Sequence, residues 1–417
     1  MIVASVALLV ACDGDDDDGD PAVVETTPAT TVTPTTEVPN DEDGVLRIGL
    51  LLPRSGDAAT IGQPLIAAAV AAVEAVNAAG GVLGNPVELV TEFDEGTSAA
   101  SARESIAGLI DADVDAVVGP ASSTIALATL GDLMAEDILT CSPTATALAL
   151  GDFPDSDLFI RTAPSDSLQA AELAQLAEGT GARSAAVTYV DDPYGRGLGA
   201  ATISELRSRG VTVEPEVPFA AQDEFLVDEA QLISTSGVDV VVVLGDGEHG
   251  ARMLSELGAA TGITPGEAPP DILVNDAIRN PPSPQLIQDL ADVVRDRITG
   301  VSPLAYGTEE GEPDGAFATN AMDCVNLIAL AAVVAQSDRA EDMRAEIVDI
   351  SDGGSNCRSF AECVALVDEA FIDYDGPGGR VHLGADGDPV DARFDRFGFD
   401  ERGVDVSKTQ PPPDQPV

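Results

Sequence analysis

The chain of 417 residues carries 73 acidic and 20 basic side chains, a formal net charge of −53 at pH 7. This charge repels nucleic acid and anionic lipid headgroups, so neither is expected as a partner, and it suits a protein kept soluble in salty surroundings. A zinc site is not expected, because the only histidines are His249 and His382 and no CxxC motif occurs. No cofactor is expected. The length exceeds what one hydrophobic core fills, so we expect two domains.

The first eleven residues, MIVASVALLVA, contain no charge and no turn former. They are too few to span a bilayer, which takes about 20 residues, but they suit the apolar part of an export signal. Leu9-Val10-Ala11-Cys12 resembles the lipobox of bacterial lipoproteins, in which the cysteine is lipidated and becomes the mature N-terminus. No Lys or Arg precedes Cys12, which leaves the true start codon open. The alternative is a buried first strand, which the following DGDDDDGD disfavours.

Residues 13–44 are rich in Asp, Thr and Pro and almost free of large apolar side chains. Such a segment cannot bury enough surface to offset its ordering entropy, so we predict a disordered acidic tether. Residues 1–12 are then the lipoprotein signal and lipobox, and the tethered part lies outside the cytoplasmic membrane, in the periplasm or at the cell surface. The last residues, 407–417 (SKTQPPPDQPV), are predicted to form a disordered tail.

Short β-rich runs alternate with helical stretches from residue 46 onwards. Helical spacing of apolar residues, closed by glycines, is clear in GQPLIAAAVAAVEAVNAAGG. Runs such as VVVVLG are apolar on both faces, as parallel strands covered by helices are. The pattern predicts a doubly wound α/β architecture that is repeated along the chain. The predicted strands are residues 46–53, 87–93, 115–120, 138–142, 184–190, 211–219, 238–245 and 271–276.

Helices dominate beyond about residue 279, and a turn-rich end that follows is predicted to form a glycine-punctuated hairpin. Cys357 and Cys363 lie six residues apart, and outside the cell such a close pair is expected to form a disulfide. Cys141 and Cys324 lie in apolar contexts that would suit buried free thiols, and the sequence leaves their state open.

Two hydroxyl-rich loops follow predicted strands, at the edge where parallel α/β sheets bind ligands. Residues 119–124 (GPASST) end one strand and open a helix, so backbone N–H groups and hydroxyls meet at a positive helix terminus suited to a carboxylate. Residues 141–146 (CSPTAT) follow the next strand. The alternatives are simple helix capping by Ser122 or Ser123 and an ordinary hydroxyl-rich turn.

Several segments, in order, resemble the type I periplasmic binding proteins, and most closely the leucine/isoleucine/valine-binding receptors of ABC transporters. They are LRIGLLLPRSG, VNAAGGVLGNPVELVTEFDEG, VDAVVGPASSTIALA, ILTCSPTATALAL, VDDPYGRGLGA and DYDGPGG, between residue 46 and about residue 400. The resemblance implies two doubly wound parallel-sheet lobes of the Venus-flytrap type, joined by a three-segment hinge. Residues 45–163 and 279–371 would form lobe 1, and residues 164–278 and 372–406 would form lobe 2.

The resemblance also implies which residues of the first lobe contact a ligand. Ser123 and Thr146 would bind its carboxylate, and Thr144 would offer backbone groups. Related receptors carry an aromatic residue at the position of Ile61, so the side chain that is recognised here can differ from leucine.

From the second lobe, the resemblance assigns Glu248 to the ligand's ammonium group, with Asp276 as a weaker second candidate. A carboxylate pairs with an ammonium far better in a closed cleft than in water. Tyr194 would cover the ligand. The alternatives are a solvated acid at a helix start for Glu248 and packing beneath its own loop for Tyr194.

An enzyme is not predicted, because no P-loop and no GxSxG elbow occurs, and the glycines of GRGLG lack the acidic residue of a dinucleotide site. The predicted function is a lipid-anchored, monomeric solute-binding protein of an ABC importer, which captures an amino acid, branched-chain or related, or a small amide-like solute. Its partners would be that solute and an ABC permease. The alternatives are a ligand-sensing lipoprotein that reports to a membrane receptor and an adhesion protein without a small ligand.

Overall fold

The computed structural model describes residues 42–56, 58–154, 157–260, 270–279, 283–303, 315–367, 371–377 and 379–409. The predicted signal with Cys12, most of the tether and residues 410–417 lie outside the described residues. The end of the predicted tether is attached to the folded part: Asp43 pairs with Arg47 at 2.8 Å, and the Gly44 N–H donates to the Asp338 carboxylate at 2.7 Å. The predicted boundary at residue 44 is therefore too late.

The first lobe contains a parallel five-stranded sheet in the order β2-β1-β3-β4-β5. Its strands are β1 Arg47–Leu50, β2 Glu88–Val90, β3 Ala116–Val118, β4 Leu139–Ser142 and β5 Phe159–Arg161. Its helices are α1 Ala59–Ala78, α2 Ala99–Asp111, α3 Ser123–Met134, α4 Leu148–Gly151, α11 Ala318–Ala335, α12 Ala340–Glu346 and α13 Phe360–Val367. A small parallel pair, β11 Ser355–Cys357 and β12 Ile372–Tyr374, packs into the same core.

Both faces of this sheet are covered by helices, as the apolar strands predict. Ala116 and Val118 of β3 pack into the cluster that contains α1 and α11, whereas Val117 packs with α2 on the opposite face. By length and composition α1 and α11 could each cross a membrane. Here they pack against each other within the core of the first lobe, so they are core helices of this fold.

The second lobe contains a seven-stranded sheet in the order β14-β13-β10-β9-β8-β6-β7. Its strands are β6 Ser184–Val190, β7 Thr212–Phe219, β8 Val240–Leu244, β9 Asp271–Val274, β10 Ile298–Pro303, β13 Phe394–Phe399 and β14 Asp405–Thr409. Its helices are α5 Asp166–Gly179, α6 Pro193–Ser208, α7 Val227–Ser234, α8 Gly247–Ala260, a 3₁₀ helix Asp276–Arg279, α9 Gln285–Gln288 and α10 Asp292–Arg295. The strands from β6 to β10 are parallel, and β13 and β14 are antiparallel to their neighbours.

Strand β8 shows why the run VVVVL is apolar throughout. Val241 and Val243 pack with α7 and α8 on one face of the sheet, and Val240 and Val242 pack with α5 and α6 on the other. A parallel strand with helices on both faces buries every side chain, so its sequence does not alternate.

Two of the predicted boundaries between the lobes are wrong. Strand β10 pairs in parallel with β9, so the chain leaves the second lobe after Pro303 and not near residue 279. Strand β12 pairs with β11, and Leu383 also packs into the first-lobe core, so the last crossing lies between Leu383 and Phe394 and not at residue 372. The first crossing falls between β5 and α5. Strand β10 was not predicted, because its sequence ITGVSP contains Gly, Ser and Pro, which are typical of turns.

The turn-rich end contains the antiparallel pair β13 and β14. Because β14 runs to Thr409, the predicted disordered tail at 407–417 begins too early.

Two disulfides join the four cysteines of the described part of the chain. Cys357 and Cys363 are bonded, which is the pairing that their spacing predicts. Cys141 and Cys324 are bonded as well, which decides a question that the sequence left open. This bond joins β4 to α11 across 183 residues of sequence, a proximity that spacing does not reveal.

Candidate functional site

A cavity of about 300 Å³ lies between the two lobes, where the strands of both sheets end at their carboxyl termini. This cavity, the cleft, is within the range of volumes typical of small-molecule sites, roughly 300–1,000 Å³. First-lobe residues that line it are Pro53, Ala58, Ile61, Glu95, Gly96, Ala121, Ser122, Ser123, Thr124, Thr144, Thr146, Ala316 and Phe317. Second-lobe residues are Asp192, Tyr194, Asp246, Asp276 and Ala277.

The loop after β3 is built tightly against β1. Gly119 has a φ of +124°, and a Cβ there would lie 2.1 Å from the carbonyl oxygen of Leu51, so only glycine fits. Below this loop, buried Glu95 accepts hydrogen bonds from the N–H groups of Ala121 (2.9 Å) and Ser122 (2.8 Å). Burial raises the pKa of Glu95 to about 7. Two amides predicted to bind a ligand anion are therefore already occupied.

Ser123 connects the two hydroxyl-rich loops. Its Oγ accepts hydrogen bonds from the N–H groups of Thr146 (3.1 Å) and Ala147 (3.2 Å). A hydroxyl that accepts twice still has its own hydrogen to donate, and the backbone N–H of Ser123 has no carbonyl within its helix. Ser122 caps α3 through the N–H of Ile125, which is the capping alternative, whereas Ser123 lines the cleft and its contact with a ligand stays a prediction.

The loop after β4 is held from inside. The fully buried Arg161, at the end of β5, donates to the carbonyls of Ala145 (3.1 Å) and Ala147 (3.0 Å) and pairs with Asp388. The hydroxyl of Thr144 donates to the carbonyl of Ala121 at 2.7 Å, so this side chain bonds the neighbouring loop. Thr144 and Thr146 both line the cleft.

Two buried carboxyl groups of the second lobe lie beside the cleft. Asp276 opens the 3₁₀ helix after β9 and is 5% exposed, and Asp166 opens α5 and is 1% exposed. Both oxygens of Asp166 and Oδ1 of Asp276 receive no hydrogen bond of good geometry among the described residues, although the Thr146 side chain lies close enough to Asp166 to lower its pKa slightly against the effect of burial. Burial, and then the charge of Asp276, raises the pKa of Asp166 to about 7, and burial also raises the pKa of Asp276.

Tyr194 lies in the wall of the cleft, at the start of α6. Its hydroxyl accepts a hydrogen bond from Asn275 Nδ2 at 2.8 Å, and burial together with Asp276 raises its pKa well above the usual value. Asp192 caps this helix through the N–H of Gly195 at 2.7 Å. The ring of Tyr194 also packs on the second-lobe core, as the packing alternative expects. Its contact with a ligand stays a prediction.

Glu248 is not brought to the cleft. It lies in the first turn of α8, pairs with Arg252 at 2.9 Å and has a side chain that is 46% exposed. The acid that lines the cleft at this strand end is Asp246, whose carboxylate contacts His249 Nδ1 at 2.5 Å. The structure therefore does not support the assignment of the ligand's ammonium to Glu248.

Three residues important to this geometry were not singled out from the sequence: Glu95, Arg161 and Asp166. Glu95 lies in the segment TEFDEG, directly after a predicted strand, so its position at a strand end was a usable signal. Asp166 follows Ser165 and looks like an ordinary acid in the first turn of a helix. Within the described ranges, no group of three or more His, Cys, Asp or Glu is placed to hold a metal ion.

A cleft between two doubly wound lobes, lined by hydroxyl, carboxyl and aromatic groups, defines a two-lobed solute-binding protein. Residues 45–275, more than half of the chain, match the family model described as periplasmic binding protein. The chain belongs to the periplasmic binding protein family, which confirms the predicted family and fold class.

Two curated relatives show how this family is used. The chain is 26% identical over 357 residues to BasB, the substrate-binding protein of a chemotactic signal transduction system of Halobacterium salinarum, covering 82% of this chain and 84% of BasB. It is 31% identical over 230 residues to the Leu/Ile/Val-binding protein BraC3 of Rhizobium johnstonii, covering 53% of this chain and 61% of BraC3. Both relatives are described as binding proteins.

Two crystal structures share the fold. LivJ of Streptococcus pneumoniae, the substrate-binding protein of a branched-chain amino acid transporter, in complex with isoleucine, has a TM-score of 0.68 and 20% identity. The leucine-binding protein LivK of Thermotoga maritima has a TM-score of 0.69 and 18% identity. Each comparison covers 88% of this chain and 98% of the other.

Proposed function

We propose that this protein is an extracytoplasmic receptor that captures a small solute with an amino group, an amino acid or a related compound, between its lobes. The observation that carries the proposal is the composition of the cleft. Hydroxyl groups of the first lobe, on Ser123 and Thr146, and acidic and aromatic groups of the second, on Asp276 and Tyr194, line one cavity.

Each group has a distinct role in this proposal. The hydroxyl of Ser123 and the first-turn amides of α3 donate to an electronegative group of the solute. Asp276 accepts from its ammonium, and the ring of Tyr194 covers its apolar part. Because the contacts come from both lobes, the bound solute favours the closed arrangement, so closure is a shift in population driven by the ligand.

The partner is proposed to be an ABC permease, with the protein anchored as a monomer to the outer face of the cytoplasmic membrane through a lipid on Cys12. The support is the similarity to BraC3 and the transporter-associated fold of LivJ. A variant Cys12→Ala of the full chain, expressed in the native cell, is expected to leave the membrane fraction. Retention of this variant in the membrane would exclude the lipid anchor.

A second role, sensing for a membrane receptor, is favoured by the match to BasB, which extends over 82% of this chain. Deletion of the gene separates the two roles: loss of uptake of the labelled solute indicates import, and loss of taxis toward it with normal uptake indicates sensing.

The central experiment is mass spectrometry of small molecules released from the purified protein, followed by calorimetry with the compounds found and with a panel of amino acids, amides and amines. We expect one class of solute to bind with a stoichiometry of one. The proposal is wrong if no compound co-purifies and no member of the panel binds.

A further inference from the structure

We infer that the solute bound in the cleft carries a net positive charge, and that its cationic group is held by Asp276 together with Asp166. The inference rests on the proposed function of the cleft. It adds a substrate class, basic amino acids or diamines, and a binding residue, Asp166, that sequence reasoning did not identify.

The number of acids in the cleft does not by itself indicate a cationic solute, because a chain with 73 acidic and 20 basic side chains exposes acids widely. Burial is what distinguishes Asp166 and Asp276 from these surface acids. Asp166 and Asp276 are 1% and 5% exposed, and three of their four carboxyl oxygens receive no hydrogen bond of good geometry from the described residues. The side chains of this part of the chain that come close to them as donors are neutral, Thr146 to Asp166 and Gln169 and Asn275 to Asp276. An ionised group that is buried without a partner costs several kcal/mol, so these two carboxyl groups ionise more readily when a cation binds beside them, and they in turn favour a cation in the cleft.

The protein itself does not supply that charge. Arg161 acts on Asp166 from β5, but its guanidinium already pairs with Asp388 and donates to two backbone carbonyls. Tyr194 faces the pair as a neutral phenol. Neither Lys nor Arg is among the residues that line the cleft in the described part of the chain.

Both carboxyl groups are in reach of the cleft. Asp276 lines it directly. Asp166 donates its backbone N–H to the carbonyl of Thr146, a lining residue, at 2.9 Å. After burial, the charges of Asp276 and Asp166 both raise the pKa of Tyr194, so both carboxyl groups act on this wall of the cleft. A cation beside Asp276 therefore lies in the field of both carboxylates.

The first lobe is poorly suited to a solute with a dominant negative group. Glu95 already accepts from the N–H groups of Ala121 and Ser122, so a second carboxylate at this loop meets a like charge. The donors that remain, including the Ser123 hydroxyl, can hold the carboxylate of a basic amino acid but are not required by a diamine.

Calorimetry with norleucine, lysine and cadaverine tests the inference, because lysine is norleucine with an ammonium on its terminal carbon. We expect lysine to bind at least about tenfold more tightly than norleucine, the ratio that one pKa unit of interaction supplies. Binding of cadaverine as tight as lysine assigns the site to diamines, and weaker binding assigns it to basic amino acids.

The possible failures are distinguishable. Norleucine or leucine binding as well as lysine would overturn the positive charge of the solute and leave the receptor function intact. If neither these compounds nor the wider panel bound, both proposals would be lost.

Asp166→Asn tests the residue itself, with Glu172→Gln as the matched control. Glu172 is a buried acid of the same helix, but it pairs with Arg396 away from the cleft. Asp166→Asn is expected to weaken binding of the tightest cation at least about tenfold and to weaken its dependence on pH between 5.5 and 8, because an ammonium binds the ionised carboxyl group.

Folding of the variant is checked by its thermal midpoint without ligand, which should not fall, since an unpartnered charge has been removed. The control should keep both the affinity and the pH dependence. Unchanged affinity and pH dependence in the folded Asp166→Asn variant would remove Asp166 from the site.

Discussion

Residue Asp246 occupies the position in the cleft that the sequence assigned to Glu248. The two acids are separated by one glycine in the segment LGDGEHG, and the helix starts between them, so their side chains take different directions. Asp246 stays at the strand end, in the wall of the cleft, and Glu248 turns outward to pair with Arg252 one helical turn later. A family motif located the acidic strand end correctly, but it did not decide which carboxylate faces the cleft.

Glu248→Gln is therefore expected to change the dissociation constant of the solute by less than about twofold, since exposed ion pairs of this kind contribute little. Asp276→Asn is expected to weaken binding at least about tenfold, because it removes a buried charge from the wall of the cleft. Calorimetry on both variants with the same solute measures the difference. Strong loss of binding in Glu248→Gln alone would restore the original assignment.

At the scale of elements, all eight predicted strands are present, seven of them with shorter bounds, because only the paired residues count as strand. Two further strands of the main sheets, β5 and β10, were not predicted. Strand β5 has three residues, and β10 reads ITGVSP, so neither shows a long apolar run. Both are specified mainly by pairing, β5 with β4 and β10 with β9 and β13. Short strands of this kind cannot be read from periodicity.

The motif DYDGPGG is an element of packing and not of the site. The hydroxyl of Tyr374 donates to Asp323 at 2.7 Å and accepts from Asn326 at 2.8 Å, both on α11. Gly376 follows so closely that a Cβ would lie 1.7 Å from the Asp323 carboxylate. The motif therefore packs the chain against α11 before it crosses for the last time between the lobes. This packing explains the sequence of the motif without any ligand.

The disulfide between Cys141 and Cys324 is also a link between elements, and it provides a prediction with an internal control. In the chain-entropy account, removing a crosslink over 183 residues costs about 5 kcal/mol, against about 2 kcal/mol for one over 6 residues. The double variant Cys141→Ala, Cys324→Ala should thus unfold at clearly lower denaturant concentration than Cys357→Ala, Cys363→Ala. Equal losses in the two variants would show that loop length does not govern these bonds.

For the whole molecule, three buried carboxyl groups set the dependence of stability on pH. The pKa values of Glu95, Asp115 and Asp166 are each raised to about 7, mainly by burial. Well below their ordinary pKa values, 3.8 for Asp and 4.5 for Glu, these groups are protonated in the folded and the unfolded chain alike. As the pH rises toward 7 the unfolded chain ionises first, so the free energy of unfolding falls across this interval and levels off above it.

We therefore expect the ligand-free protein to have a higher thermal midpoint at pH 5 than at pH 8. Repulsion within a chain of net charge −53 acts in the same direction, but salt screens it, whereas buried groups are screened much less. The difference should accordingly persist in concentrated sodium chloride. A difference that disappears in salt would assign it to the surface charge.

The sequence by itself determined the local features: strands apolar on both faces, helices closed by glycine, the close cysteine pair, and the hydroxyl-rich loops at strand ends. Each of these features depends on residues within about ten positions along the chain, and such local features can be recognised from hydrophobic periodicity and turn-forming residues. The tertiary structure decided which acids share the cleft, that Cys141 meets Cys324, and where the chain crosses between lobes. These depend on contacts between residues distant in the chain, and only the pairing of strands and the packing of helices brings them together.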